Sequence, residues 1–214
     1  IPGLLNTLQH NIKRQQDRVR IFETGLVFNN KDDLKQESHV AGLIQGNINK
    51  KQWDKKDISS DFYDLKCDVE AIICSLIKTD GIEMRPSHSE FLHPGQAIDL
   101  VIDGNEVGYF GCLHPSICAE LELPNNIYLF EFKIENLFKQ DNRNYQRISK
   151  FPSVKRDISL LIDEHIPLAD VLEILKNTSS ELLTNLELFD LYQGEGIENG
   201  KKSLALGLTF QATS

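Results

Sequence analysis

Long hydrophobic runs and clustered cysteines are both lacking in this sequence. No stretch of about 18 apolar residues occurs, and no basic segment with an apolar leader precedes the first predicted helix. Its 214 residues include four cysteines, none in C-x-x-C spacing. Secreted scaffolds contain many more cysteines. We therefore expect a soluble cytoplasmic protein with reduced thiols, most of them buried in the core.

An excess of basic residues is also missing. The chain has 23 Lys and Arg against 32 Asp and Glu, for a net charge of −9. Residues 1–150 carry a net charge of −4 and residues 151–214 a net charge of −5. Proteins that bind nucleic acids on their own usually have a basic face. Charge alone therefore gives no indication of DNA or RNA binding. The 40% hydrophobic content is that of a globular chain with a sizeable core.

Two helices and several strands are predicted in the first two-thirds of the chain. Apolar residues recur at helical spacing over residues 1–14 and 61–78, and Ser60 or Asp61 is placed to cap the second helix. Asp103-Gly104 between apolar runs predicts a tight hairpin. We interpret His93-Pro94-Gly95 and His114-Pro115-Ser116 as turns or helix starts.

The pattern changes after a polar stretch at residues 136–150, which we interpret as a linker. Residues 151–214 then predict strand, helix, strand, glycine-rich loop and strand. This is the first two-thirds of a ferredoxin-like (split βαβ) domain, with the final helix and strand missing. We expect an α+β protein with domains at residues 1–135 and 151–214.

Metal and catalytic sites are not supported by the residue spacing. Cys112, His114 and Cys118, with His88 and His93, include suitable ligand types, but they lack the closely spaced pairs of structural zinc sites. The glycines at 194, 196 and 200 do not fit a nucleotide-binding loop and predict a hairpin loop. No nucleophile is paired with a base. We expect no bound metal and no catalytic residue in this chain.

Several motifs in series resemble one family. They are Arg20–Gly25 (RIFETG), His93–Gln96 (HPGQ), Gly108–Pro115 (GYFGCLHP), Phe151–Ile162 (FPSVKRDISLLI), Glu187–Gly194 (ELFDLYQG) and Gly200–Ala205 (GKKSLA). In this order they are similar to the C-terminal part of bacterial phenylalanyl-tRNA synthetase β subunits. The resemblance implies that residues 1–135 form a class II synthetase-like antiparallel sheet with flanking helices. It also implies that residues 151–214 form a truncated ferredoxin-fold anticodon-binding domain.

The family resemblance implies a role within a larger enzyme. That enzyme is an (αβ)2 tetramer that attaches phenylalanine to tRNA(Phe) with ATP and Mg²⁺, and its active site lies in the α subunit. Arg20 and Glu23 resemble a decayed ATP-binding motif, and residues 128–137 lack the expected glycines and arginine. Because phosphoryl chemistry needs such cationic clamps, we expect this fragment to be inactive alone. The editing and Mg²⁺ sites are expected upstream.

The resemblance also implies candidate binding residues. Tyr192 matches an aromatic position suited to stacking on a base, and Ser203 a polar position suited to a base edge. Lys155 and Arg156 are candidates for phosphate contacts. The alternatives are open for each residue: Tyr192 as an aromatic residue at the sheet edge, Ser203 as an ordinary residue at the start of a strand, and Lys155 and Arg156 as solvated basic residues. Helices 1–14 and 61–78 are candidates for the α-subunit interface or for the core. A free-standing ferredoxin-like or ACT-like module that binds a small ligand is the alternative function.

Overall fold

The computed structural model describes residues 1–29, 35–76, 81–137, 149–179 and 181–212. The chain divides into two compact units, Ile1–Arg143 and Asn144–Ser214. Each unit has a hydrophobic core of its own. Most of the linker expected at residues 136–150 lies outside the described residues.

The first unit is built on a six-stranded sheet in which all neighbouring strands are antiparallel, in the order β1-β2-β6-β5-β4-β3. Its elements are α1 (Pro2–Lys13), β1 (Arg18–Asn29), β2 (Lys35–Gly46), α2 (Phe62–Leu76), β3 (Ile82–Pro86), β4 (Leu92–Ile102), β5 (Asn105–Leu113), α3 (Pro115–Glu120), β6 (Tyr128–Lys133) and α4 (Ile134–Leu137). Strand β3 was not among the predicted elements.

Helices cover both faces of this sheet. On one face α2 buries Leu65, Val69 and Ile73 against the sheet, and on the other α1 buries Leu4, Leu5 and Leu8. The predicted stripes of helices 1–14 and 61–78 are thus core. Asp61 caps α2, because its Oδ1 accepts hydrogen bonds from the backbone N–H groups of Tyr63 (2.8 Å) and Asp64 (3.1 Å).

The two His-Pro motifs have different structures. His114 begins α3 as expected, and its Nδ1 accepts a hydrogen bond from the Ser116 backbone N–H at 3.2 Å. The interpretation of His93-Pro94-Gly95 as a turn or helix start was wrong, because these residues lie within β4. The strand pairing shifts register between Leu92 and Ala97, and this irregularity accommodates a proline that has no N–H to donate.

The expectation that most cysteines are buried was also wrong. Cys112 and Cys118 are buried, and burial raises the pKa of both thiols. Cys67 and Cys74 are exposed. They are seven residues apart on α2, so they share its outer face, opposite the apolar stripe.

The second unit has a three-stranded antiparallel sheet in the order β7-β9-β8, with one helix packed on it. Its elements are β7 (Val154–Asp163), α5 (Leu168–Thr178), β8 (Leu183–Tyr192) and β9 (Lys201–Phe210). Val171 of α5 and three leucines of β9, Leu204, Leu206 and Leu208, form the buried core. The strand-helix-strand-strand order confirms the sequence prediction, and the glycine-rich residues 193–200 connect β8 to β9.

Candidate nucleic-acid interface

The face of the second sheet opposite α5 is the candidate site, and we call it the open face. Alternate residues of a strand point to opposite sides of a sheet, and residues paired across strands share a side. Because Leu204, Leu206 and Leu208 face the core, the residues between them face away from it. By register, the open face comprises Lys155, Asp157, Ser159, Leu161 and Asp163 of β7, Asn185, Glu187, Asp190 and Tyr192 of β8, and Lys201, Ser203, Ala205, Gly207 and Thr209 of β9.

Tyr192 and Ser203 are direct neighbours on the open face, paired across β8 and β9. The Tyr192 hydroxyl donates a hydrogen bond to the Glu195 carbonyl oxygen at 3.0 Å, which anchors the ring to the hairpin loop while 47% of the residue remains exposed. The Ser203 Oγ lies 3.2 Å from the Ser159 Oγ on the next strand. An anchored aromatic ring thus lies next to hydroxyl groups that can both donate and accept.

A β-bulge in β8 determines which side chains reach this face. Leu188 pairs with Leu206, but Asp190 pairs with Ala205, so Phe189 is one extra residue in β8. Strict alternation from Leu188 would turn Asp190 and Tyr192 toward α5. The extra residue reverses the alternation and brings both to the open face.

Phe189 is an aromatic residue of this face that the sequence analysis did not identify. A Cβ built on Gly207 would lie 3.7 Å from the Phe189 Cδ1 and 3.7 Å from the Asp157 Oδ1, so the ring lies beside Gly207, and the residue is 57% exposed. A cavity of about 230 Å³ surrounds it, lined by Lys155, Asp157, Glu187, Phe189, Gly207, Leu208 and Thr209. Regular alternation from Glu187 places Phe189 on this face, and Phe189 lies within the Glu187–Gly194 motif, but neither pattern distinguished it from its neighbours as a binding residue.

The two basic candidates project to opposite sides of the sheet. Lys155 pairs with Thr209 and lies on the open face, whereas Arg156 pairs with Leu208 and lies on the α5 side. The structure therefore brings Tyr192, Ser203 and Lys155 to one surface and separates Arg156 from them. Four carboxylates share that surface, from Asp157, Asp163, Glu187 and Asp190. Such a surface is better suited to the edges of bases than to a run of phosphates.

In the first unit, the two residues of the decayed ATP motif do not converge. Arg20 pairs with Ile44, on the face covered by α2, whereas Glu23 pairs with Ala41, on the α1 face. Arg20 also forms an ion pair with Asp68 of α2. Its charge is thus offset within the protein, and Glu23 cannot reach the same ligand. Arg20 and Glu23 therefore do not form an ATP site together.

The uncovered part of the α2 face is strongly apolar. A cavity of about 590 Å³ lies between β1, β2, α2 and α4, with mainly aliphatic and aromatic lining. Beside it, Phe22 (75% exposed), Leu26 and Phe28 lie on the same side of β1. We call these three residues the β1 apolar strip. Exposed apolar patches of this kind mark interaction surfaces.

In the described parts of the chain, no three or more His, Cys, Asp or Glu side chains are grouped to hold a metal ion. Among the helices described, none has the length and apolar character needed to cross a membrane.

Comparisons with known proteins cover the whole chain. Residues 1–134 match the family described as "Phenylalanyl tRNA synthetase beta chain CLM domain", and residues 149–214 match "Ferredoxin-fold anticodon binding domain". A solved structure of a Desulfitobacterium hafniense pyrrolysyl-tRNA synthetase covers 64% of this chain and is itself covered to 46%, with 16% identity and a TM-score of 0.46. A likeness at that level does not define a fold.

Three curated relatives illustrate the match, and each is named phenylalanine–tRNA ligase beta subunit. The Methylococcus capsulatus protein is 42% identical over 210 residues, covering 98% of this chain and 26% of the relative. The Pseudomonas fluorescens protein is 40% identical over 214 residues, in a match that covers 100% of this chain and 27% of the relative. The Nitrosococcus oceani protein is 42% identical over 215 residues, in a match that covers 99% of this chain and 27% of the relative. The chain thus spans about a quarter of the length of these relatives, and the match favours the synthetase interpretation over a small-ligand module.

Proposed function

This chain belongs to the phenylalanyl-tRNA synthetase β-chain family, and from that membership we propose that it is the part of a phenylalanine–tRNA ligase β subunit that binds the tRNA anticodon and supports assembly. The proposed ligase attaches phenylalanine to tRNA(Phe) in the cytoplasm with ATP and Mg²⁺. The proposed division is a synthetase-like domain at residues 1–135, a linker at 136–150 and an anticodon-binding domain at 151–214.

The pairing of Tyr192 with Ser203 on the open face carries the proposal. Unstacked RNA bases are recognised by stacking on aromatic rings and by hydrogen bonds to their edges. The Tyr192 ring supplies a platform held by its own hydroxyl, and Ser203 supplies a hydroxyl one strand away. In this proposal one anticodon base stacks on Tyr192 while its edge bonds to Ser203, and Lys155 contacts a phosphate.

Amino-acid activation is proposed to occur in the α subunit. Arg20 is paired with Asp68, and Glu23 is on the opposite side of the sheet, so these two residues cannot clamp a triphosphate together. The first unit then serves assembly. The β1 apolar strip is the surface that we assign to contact with the α subunit, in the proposed (αβ)2 tetramer.

The anticodon proposal is tested by the single variants Tyr192→Ala and Ser203→Ala in the ligase assembled from full-length subunits. Stacking is worth about 1–3 kcal/mol per base, so Tyr192→Ala should raise KM for tRNA(Phe) about fivefold to hundredfold. The tRNA-independent exchange of pyrophosphate into ATP should be unchanged. If neither variant raises KM for tRNA(Phe), the assignment is wrong.

A further inference from the structure

Phe189 and the cavity around it form a second surface on the open face that the proposed function does not yet use. The cavity measures about 230 Å³. Pockets for whole drug-sized molecules measure about 300–1,000 Å³, so this cavity suits one planar group of a larger ligand. Phe189 lines the cavity and is 57% exposed, so its ring is accessible to a planar group.

The polar groups of the cavity indicate which kind of ligand it fits. Asp157 and Glu187 contribute carboxylates, which only accept hydrogen bonds when ionised, and Lys155 contributes an ammonium group at the same cavity. Adenine, guanine and cytosine have amino groups on their base edges that donate to carboxylates, whereas uracil has none. The ammonium group can pair with a phosphate of the same strand.

The Phe189 platform is separate from Tyr192. Tyr192 pairs with Ser203, whereas the Phe189 ring lies beside Gly207, four residues further along β9. A strand rises about 3.3 Å per residue, so the Cα atoms of Phe189 and Tyr192, three residues apart on β8, are at most about 10 Å apart. Neighbouring bases in a regular stack lie about 3.4 Å apart, so two such neighbours cannot occupy both platforms.

We propose that Phe189, with Asp157, Glu187 and Lys155, binds a second unstacked base of the same tRNA, one that bears an amino group, while Tyr192 binds a different base. This inference rests on the proposed anticodon-binding function. The β8 bulge is then the feature that brings both platforms to one face, since regular alternation from Glu187 places Phe189 there and the bulge turns Tyr192 to the same face.

The first test compares Phe189→Leu with Phe189→Trp in the full-length ligase. Leucine keeps apolar bulk but has no π face, so KM for tRNA(Phe) should rise about fivefold or more, whereas tryptophan should keep KM within about twofold of the wild-type value. Pyrophosphate exchange should not change. Ile174→Ala is the matched control, because Ile174 is similarly exposed (64%) but lies on α5, on the other side of the sheet.

The second test replaces each anticodon-loop nucleotide in turn by an abasic one and repeats the measurement. The penalty of Phe189→Leu should disappear on one abasic tRNA, and that of Tyr192→Leu on another, because each ring loses its own stacked base. A normal KM for Phe189→Leu, or a penalty that persists on every abasic tRNA, would overturn the second platform. The second platform would also be overturned if the Phe189→Leu penalty disappeared on the same abasic tRNA that removes the Tyr192→Leu penalty.

These outcomes separate the two proposals. A raised KM for Tyr192→Leu with a normal KM for Phe189→Leu leaves anticodon binding in place and rejects the second platform. Normal KM values for both variants reject anticodon binding by the open face, and the inference fails with it.

Discussion

Two consecutive basic residues illustrate how strand geometry assigns different roles to similar side chains. Lys155 lies on the open face, next to the cavity around Phe189, whereas Arg156 lies on the α5 side. The alternation of a strand is enough to separate them. Only the first is placed to contact an RNA strand that stacks on the aromatic rings.

We therefore expect Lys155→Ala, but not Arg156→Ala, to weaken tRNA binding. Removing one phosphate contact should raise KM for tRNA(Phe) a fewfold and should make the logarithmic salt dependence shallower by about 0.7, the value for one contact with a single strand. Arg156→Ala should leave both quantities nearly unchanged. Aminoacylation measured over a range of salt concentrations tests this, and an effect of Arg156→Ala equal to that of Lys155→Ala would contradict the facial assignment.

At the scale of elements, the bulge in β8 explains what sequence reasoning reached and what it missed. Apolar periodicity was sufficient to predict α1, α2 and α5. The Asp103-Gly104 pair was sufficient to predict the β4–β5 hairpin, in which these two residues have left-handed φ values of 49° and 77°. Tyr192 was identified as a candidate binding residue because it matches a position of the family motif. Phe189 lies in the same motif but was not identified as a binding residue. The bulge that brings Tyr192 to the same face as Phe189 depends on pairing with β9, which local sequence does not specify.

Strands β2, β5 and β6 are joined by a polar network centred on Glu131. The His39 Nδ1 lies 2.8 Å from the Glu131 Oε1, and the Tyr109 hydroxyl donates to the Glu131 Oε2 at 2.6 Å. Burial raises the pKa of the Glu131 carboxyl, but the hydrogen bonds from Tyr109 and His39 and nearby positive charge together outweigh burial and hold the pKa below its ordinary value. Burial, with the bond to Glu131, also raises the pKa of Tyr109.

Glu131→Gln should therefore destabilise the first unit in a pH-dependent way. A carboxyl whose pKa is lowered on folding stabilises the fold above its unfolded pKa of about 4.3 and loses this contribution as the pH falls through its folded pKa. We expect the variant to lose about 1.5–3 kcal/mol of unfolding free energy near neutral pH, the range for hydrogen bonds to charged groups. The difference from wild type should shrink in acid.

Urea unfolding at several pH values measures this dependence. Glu120→Gln on the exposed surface of α3 is the control, and it should leave the free energy of unfolding unchanged at every pH. A Glu131→Gln penalty that stays constant from neutral pH to about pH 3 would show that the ionised carboxylate is not what stabilises these strands.

For the whole molecule, the first unit buries the helix stripes that the sequence offered as interface candidates and leaves the β1 apolar strip exposed. The apolar faces of α1 and α2 pack against opposite faces of the six-stranded sheet, where they form part of its two hydrophobic cores. The partner surface is therefore proposed on strand β1, beside the cavity of about 590 Å³. Helical periodicity could not distinguish these cases, because core and interface stripes have the same spacing.

The double variant Phe22→Asp/Leu26→Asp should release the α subunit from the full-length β subunit. Charges buried at an apolar interface are costly, whereas the same residues are exposed in the free chain. Size-exclusion chromatography of the co-expressed subunits measures the loss. Trp53→Asp is the control, because Trp53 is almost fully exposed and lies outside the strip. Normal assembly of the double variant would place the interface elsewhere.

Anticodon binding by the open face of the second sheet can be measured by titrating the full-length β subunit into a fluorescently labelled tRNA(Phe) anticodon stem-loop and following anisotropy. We expect saturable binding that Tyr192→Ala weakens about fivefold to hundredfold and Ile174→Ala leaves unchanged. Equal affinities for wild type and Tyr192→Ala would show that the open face does not bind the anticodon.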